Sequence, residues 1–181
     1  MIAYAISDPT TLHFDDRFPK DLAGIAEKAN WLLYRDKENP DYRRYAGILS
    51  EAVREFFPLR LIIHDDYQLA DTLGAYGVHF SASGVTNLAK AKERGLFTIA
   101  STHSLKEALQ LEKEGIDVVT LSPIFATPGK GTPLGTAYLA EAVRQLQIPV
   151  IALGGITDQA RIEAVKLAGV SGFASIRFFS R

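Results

Sequence analysis

Eight short apolar runs recur along the chain at residues 2–6, 31–34, 60–64, 77–80, 97–100, 118–121, 150–153 and 172–176, with amphipathic stretches between them. Runs of this length, bounded by turn residues, read as buried strands. The intervening helical patterns cover roughly 19–28, 40–56, 66–74, 84–94, 104–114, 136–146 and 157–168. In the fifth, Leu105, Ala108, Leu109 and Leu111 share an apolar face apart from Glu112. Gly95, Gly115 and Gly169 stand where helices end in the left-handed conformation. Ser104 ahead of Glu107, and Thr157 with Asp158 in the first turn, supply N-cap chemistry.

Strands that alternate with helices form a parallel sheet, because parallel neighbours need crossover connections. Eight such units close into a (β/α)8 TIM barrel, here a single domain over 1–181. The competing architecture is an open doubly wound sheet with a G-x-G-x-x-G turn after its first strand. That turn reads Ser7-Asp8-Pro9-Thr10-Thr11 and contains no glycine. After the last strand only residues 177–181 remain, so the barrel is expected to lack its eighth helix. The apolar face left open is then expected to be covered by a second subunit, making a homo-oligomer such as a dimer, or by a rearranged neighbouring segment.

Charge and composition narrow the function. Twenty Lys+Arg against 21 Asp+Glu leave no global basic field for nucleic acid, although a few local cations suffice for phosphate. The absence of cysteine excludes disulfides, thiolate metal sites and a cysteine nucleophile. The start has no basic leader, and no run approaches the roughly 18–20 apolar residues of a membrane span, so a cytoplasmic location with no membrane partner is expected.

In a barrel of this kind the strand C-terminal ends build the site. They carry Arg35 and Lys37 after the second strand, and His64, Asp65 and Asp66 after the third. Ser101 and His103 follow the fifth, Thr127 and Lys130 the sixth, Gly154 and Gly155 the seventh, and Ile176 and Arg177 the eighth. Arg35 and Lys37, two apart, face one side of an extended segment and suit an anionic group such as a diphosphate. Their alternative is an ion pair with Asp36 or Glu38. Asp65 and Asp66 are oxygen donors for Mg²⁺, and Asp66 also stands where it would cap a helix. Gly154-Gly155-Ile156, ahead of a helix opening at Thr157, lets backbone approach a phosphate and offers helix N–H groups. Arg177 faces the same spot. The loop 121–135 holds three prolines and three glycines, with Lys130 between two of the glycines. His103 reads as a capping or orienting residue, and His79 as a satisfied core histidine.

Segments 31–37, 61–70, 77–79, 101–104, 122–135, 149–156 and 169–176 resemble, in order, the thiamin phosphate synthase and thiazole tautomerase (TenI-like) family. The combination Pro123-Ile124-Phe125-x-Thr127, Lys130 and Gly154-Gly155-Ile156 carries the resemblance. It implies a pocket for small phosphorylated substrates and a synthase that couples hydroxymethylpyrimidine diphosphate to thiazole phosphate. The family mechanism is dissociative, with Mg²⁺ and cations neutralising the departing diphosphate. By position, Arg35, Lys37 and Lys130 would serve the diphosphate, Asp65 the Mg²⁺, and Ser101 the pyrimidine substrate, with His64 a further substrate-binding residue beside Asp65. Thr127, Gly155 and Ile176 would hold thiazole phosphate, beside Gly154 and Arg177, which the strand-end reading places at the same phosphate.

The chain departs from the family at several positions. Leu33 replaces a glutamine, His64 an asparagine, Gly129 a threonine and Arg177 a serine. The second metal aspartate falls near Ser83-Gly84, and the tautomerase histidine at Pro123. The readings in competition are therefore the synthase, a TenI-like tautomerase, and a non-catalytic or regulatory binder of thiazole phosphate or thiamin phosphate.

Overall fold

A computed structural model describes residues 1–180. It holds β1 (Ile2–Ile6), α1 (Phe18–Ala26), β2 (Trp31–Tyr34), α2 (Tyr42–Val53), β3 (Arg60–His64), α3 (Tyr67–Thr72), β4 (Gly77–Phe80) and α4 (Leu88–Glu93). It continues with β5 (Phe97–Thr102), α5 (Leu105–Lys113), β6 (Val118–Leu121), α6 (Gly135–Gln145), β7 (Val150–Leu153), α7 (Gln159–Leu167) and β8 (Gly172–Ser175). The strands close in sequence order into one parallel barrel, with β8 pairing β1 through Ile2↔Gly172 and Tyr4↔Ala174.

The period of two along each strand separates two cores. Tyr4, Ile6, Trp31, Leu33, Ile62, Ile99, Val118 and Ile151 fill the barrel interior, while Leu32, Ile63, Val78, Ala100, Val119 and Leu121 meet the helices. Each fully buried Leu or Ile contributes about 1.5–3 kcal/mol through apolar area removed from water. The N-terminal end of the barrel is closed by large rings, with Trp31 against Phe97 (5.6 Å between centroids) and Tyr76 (5.7 Å). The C-terminal end carries smaller or polar side chains, including Ser101, Ser122 and Ala174, and remains open as a cavity.

Element ends differ from the pattern read in the sequence where local hydrogen bonds decide. β5 extends to Thr102, whose Oγ1 donates to the Thr120 carbonyl at 2.8 Å. α7 begins at Gln159 because Asp158, not Thr157, is its N-cap, accepting from Arg161 N at 3.0 Å. A 3₁₀ turn (Gly84–Asn87) replaces the expected first turn of α4. Ser104 caps α5 as expected, and Gly95, Gly115 and Gly169 all take positive φ.

Among the described residues no helix follows β8. The outward face of that strand is nevertheless closed by the chain itself: Phe179 stacks on Phe173 at 5.7 Å, and Phe178 meets Phe173 edge-on at 5.5 Å. Ser175 fixes this turn, donating to the Ile156 carbonyl (2.7 Å) and accepting from Phe178 N (3.1 Å). Phe173 is left 4 % exposed. Of the two expected covers, the rearranged neighbouring segment is the one seen at β8.

Candidate functional site

The strand ends surround a cavity of about 420 Å³. Ten positions singled out in the sequence line it together: Arg35, Lys37, His64, Ser101, Thr127, Lys130, Gly154, Gly155, Ile176 and Arg177. Asp65 lines an adjoining recess of about 600 Å³ that shares Lys37, His64 and Ser81 with the first. Arg35 and Lys37 thus face one side, as two residues in extended chain should.

The cations are free for a ligand. Among the described residues, no carboxylate forms a salt bridge with Arg35, Lys37, Lys130 or Arg177. The ion-pair alternative for Arg35 and Lys37 is therefore not realised: Asp36 instead accepts from Asn39 (2.8 Å). Four cations on one cavity without internal counter-charges make a focused anion site.

At the opposite wall the β6 and β7 loops are joined. Ile124 N donates to the Leu153 carbonyl (2.9 Å) and Phe125 N to the Gly154 carbonyl (3.0 Å). Only glycine fits this seam. A Cβ on Gly154 would lie 2.7 Å from Pro123 Cα, and one on Gly155 2.8 Å from the Ala126 carbonyl oxygen; both residues also have positive φ. Their N–H groups donate to no acceptor among the described residues. At the start of α7 the Asp158 side chain caps Arg161 N, so that helix N–H is already satisfied, whereas the N–H groups of Gly154 and Gly155 are not. On the β6 loop, Thr127 Oγ1 donates to the Phe125 carbonyl (3.0 Å) and Lys130 N to the Thr127 carbonyl (3.1 Å), which fixes the turn that presents Lys130.

Asp65 adopts a left-handed φ of 56°, a conformation that aspartate tolerates and that recurs at sites under functional constraint. Its Oδ1 accepts from Ser81 N (2.7 Å), and its Oδ2 from Ser81 Oγ (2.8 Å) with His64 Nδ1 at 3.3 Å. Asp66 is committed elsewhere: it caps α3 through Leu69 N (2.9 Å) and pairs with Arg43 (2.6 Å). It is a cap and not a second metal ligand. No group of three or more His, Asp or Glu is arranged to hold a metal ion among the described residues.

His64 and His79 are held neutral. Burial pushes His64 down to about 4 against the opposing pull of Asp65, and pushes the wholly enclosed His79 down to about 3. His79 lies 2.9 Å from Tyr4 Oη and 2.9 Å from Ser101 Oγ. Burial raises the Tyr4 phenol well above its usual range, and among the described residues its proton has only His79 Nδ1 as acceptor. Nε2 therefore carries the ring proton and donates to Ser101, which leaves the serine hydroxyl proton for a ligand. His79 is the satisfied core histidine that was expected, and it is also the floor of the site, a role not read from the sequence. The signal was strand parity, since His79 pairs with the inward His64 across β3 and β4. His103 orients: its ring Nδ1–H donates to the Ser122 carbonyl (3.0 Å) and its backbone N–H to Glu107 (2.8 Å).

The arrangement has counterparts among known proteins. A family model described as thiamine monophosphate synthase (TMP-TENI) matches residues 3–179. The thiamine-phosphate synthase of Nitrosococcus oceani is 31% identical over 179 residues, covering 96% of this chain and 82% of that protein. A putative thiamine-phosphate synthase 2 of Aquifex aeolicus is 33% identical, covering 97% and 96%. Among solved structures, the thiamine phosphate pyrophosphorylase from Pyrococcus furiosus superposes with a TM-score of 0.78 at 27% identity, covering 97% of this chain and 85% of that one.

Proposed function

Because this chain belongs to the thiamine monophosphate synthase (TMP-TENI) family, we propose that it couples hydroxymethylpyrimidine diphosphate to thiazole phosphate, forming thiamin phosphate and releasing diphosphate. The observation that carries this reading is the cavity itself: four cations without carboxylate partners share it with a double-glycine turn. Two anionic substrates thereby have separate grips. Production of thiamin phosphate from the two substrates tests the reading.

The chemistry follows from charge. The bond between the pyrimidine methylene and the diphosphate oxygen breaks, and its electron pair leaves with the diphosphate. Arg35, Lys37 and Lys130 stabilise the charge that develops there, as donors already in place. The nitrogen lone pair of the thiazole then forms the new C–N bond and becomes the thiazolium. No proton is transferred in that step, so no general base is required. Neutral His64 and His79 suit a carbon centre that becomes cationic, since imidazolium groups beside it would repel it. Ser101 offers its hydroxyl proton to the pyrimidine. Gly154, Gly155, Thr127, Ile176 and Arg177 receive the phosphate of the thiazole.

Asp65 fits Mg²⁺ as a single carboxylate. It is fixed by Ser81, it opens onto the wider recess, and Mg²⁺ commonly takes one or two carboxylates with substrate phosphate oxygens and water. When bound there, the ion supplies further neutralisation of the leaving diphosphate. Position 84 adds no second ligand, so binding is weaker than at a two-carboxylate site. This same feature favours the binder reading, in which both anion grips serve recognition alone; the coupling assay separates the two. Among the described residues no helix is long and apolar enough to cross a membrane, and membership of a biosynthetic enzyme family supports placing the protein in the cytoplasm.

A further inference from the structure

Arg161, in the first turn of α7, has had no role so far, yet its contacts converge on the glycine turn. Its Nη1 donates to the Gly155 carbonyl and, at 3.4 Å, approaches Thr157 Oγ1. Its guanidinium lies 5.4 Å from the centroid of the Phe125 ring. Its Nε stands 3.7 Å from Asp158, which offsets its charge. One side chain therefore touches the β7 turn, the β6 loop and the cap of α7.

The consequence is orientational. A trans peptide holds its carbonyl and the following N–H antiparallel. Securing the Gly155 carbonyl on Arg161 therefore turns the Ile156 N–H away from the guanidinium. Both Gly155 and Ile156 line the cavity. Glycine restrains its own peptide plane least of all residues, so an external partner has most effect there. Only arginine combines a rigid fork of donors with a flat face for Phe125; lysine offers a point charge.

We infer that Arg161 is a positioning residue that presets the Gly155–Ile156 peptide for a phosphate monoester. Through Phe125 it also keeps the loop of Thr127 and Lys130 aligned with that grip. The inference rests on the synthase reading for the identity of the phosphate, and on the contacts above for the rest.

The test is a titration of ¹⁵N-labelled protein with inorganic phosphate, following the amide signals of Gly155 and Ile156, alongside steady-state kinetics. In Arg161→Ala the phosphate midpoint should rise about tenfold, as for loss of one charge-assisted hydrogen bond. The KM for thiazole phosphate should rise similarly while kcat changes far less. Arg161→Lys should recover less than half of the loss. A midpoint within twofold of the unmodified protein overturns the inference, as does full recovery by lysine, which would mean that charge alone matters. If Arg161→Ala does not fold, Arg161→Lys is read by the same criteria. If the unmodified protein forms no thiamin phosphate but the midpoint still shifts, the synthase reading falls and this one stands. If product forms and neither midpoint nor KM moves in Arg161→Ala, this one falls alone.

Discussion

The Oδ1 atom of Asp65 occupies the place where a side chain at position 84 would begin: a Cβ on Gly84 would meet it at 2.0 Å. Adding a carboxylate beside Asp65 therefore displaces the one already held by Ser81. Gly84→Asp should lower activity by about tenfold and should not tighten diphosphate binding in the presence of Mg²⁺. Calorimetry of diphosphate with and without Mg²⁺ checks this, and tighter Mg²⁺-dependent binding in the variant would count against the geometry.

Lys130 sits on an exposed loop, makes no salt bridge and faces the cavity. Its removal should cost catalysis without costing the fold. Lys130→Ala is expected to reduce kcat/KM by at least about 10²-fold, in the range for one donor to developing charge. The melting temperature should stay within about 1 °C, since surface substitutions rarely matter to stability. Calorimetric melting beside the kinetics reads both.

His64 and His79 couple stability to pH. His79 titrates near 6.5 when unfolded and is held down at about 3 by burial; His64 is held at about 4. Between those values the unfolded chain binds protons that the folded chain does not, so stability is complete above pH 6.5 and is lost as pH falls. Urea unfolding should show roughly 2–4 kcal/mol less stability at pH 5 than at pH 7, with a smaller difference in His79→Gln. A flat profile over that range would contradict the assignment.

The aromatic turn after β8 covers the outward face of that strand. Phe179 is 5 % exposed and stacks on Phe173, so Phe179→Ala should destabilise by about 3 kcal/mol and promote self-association through the uncovered strand. Urea titration and light scattering measure the two effects. Unchanged stability would indicate that a second subunit covers this face instead.

Most of the barrel was legible because two periodicities, two for strands and 3.6 for helices, are written directly in side-chain polarity. Six of eight strands, β1 to β4 with β6 and β7, begin and end at the expected residues. The misses come from individual hydrogen bonds that pattern does not encode. Asp158 displaced Thr157 as cap, and Thr102 lengthened β5 through its hydroxyl. Which of the two expected covers closes β8 was not legible, because Phe178 and Phe179 show their role only when they fold back on Phe173. At the site, cations and glycines were visible as strand-end residues. The Tyr4–His79–Ser101 chain was not, because it joins residues 75 and 22 positions apart, and only the closed barrel brings them together.

The account stands or falls on a single incubation of the purified protein with hydroxymethylpyrimidine diphosphate, thiazole phosphate and Mg²⁺, followed by mass spectrometry. It predicts thiamin phosphate with one diphosphate released per product. Thiazole phosphate bound with no product formed would contradict it, and would leave the cavity as a binding site without the coupling chemistry.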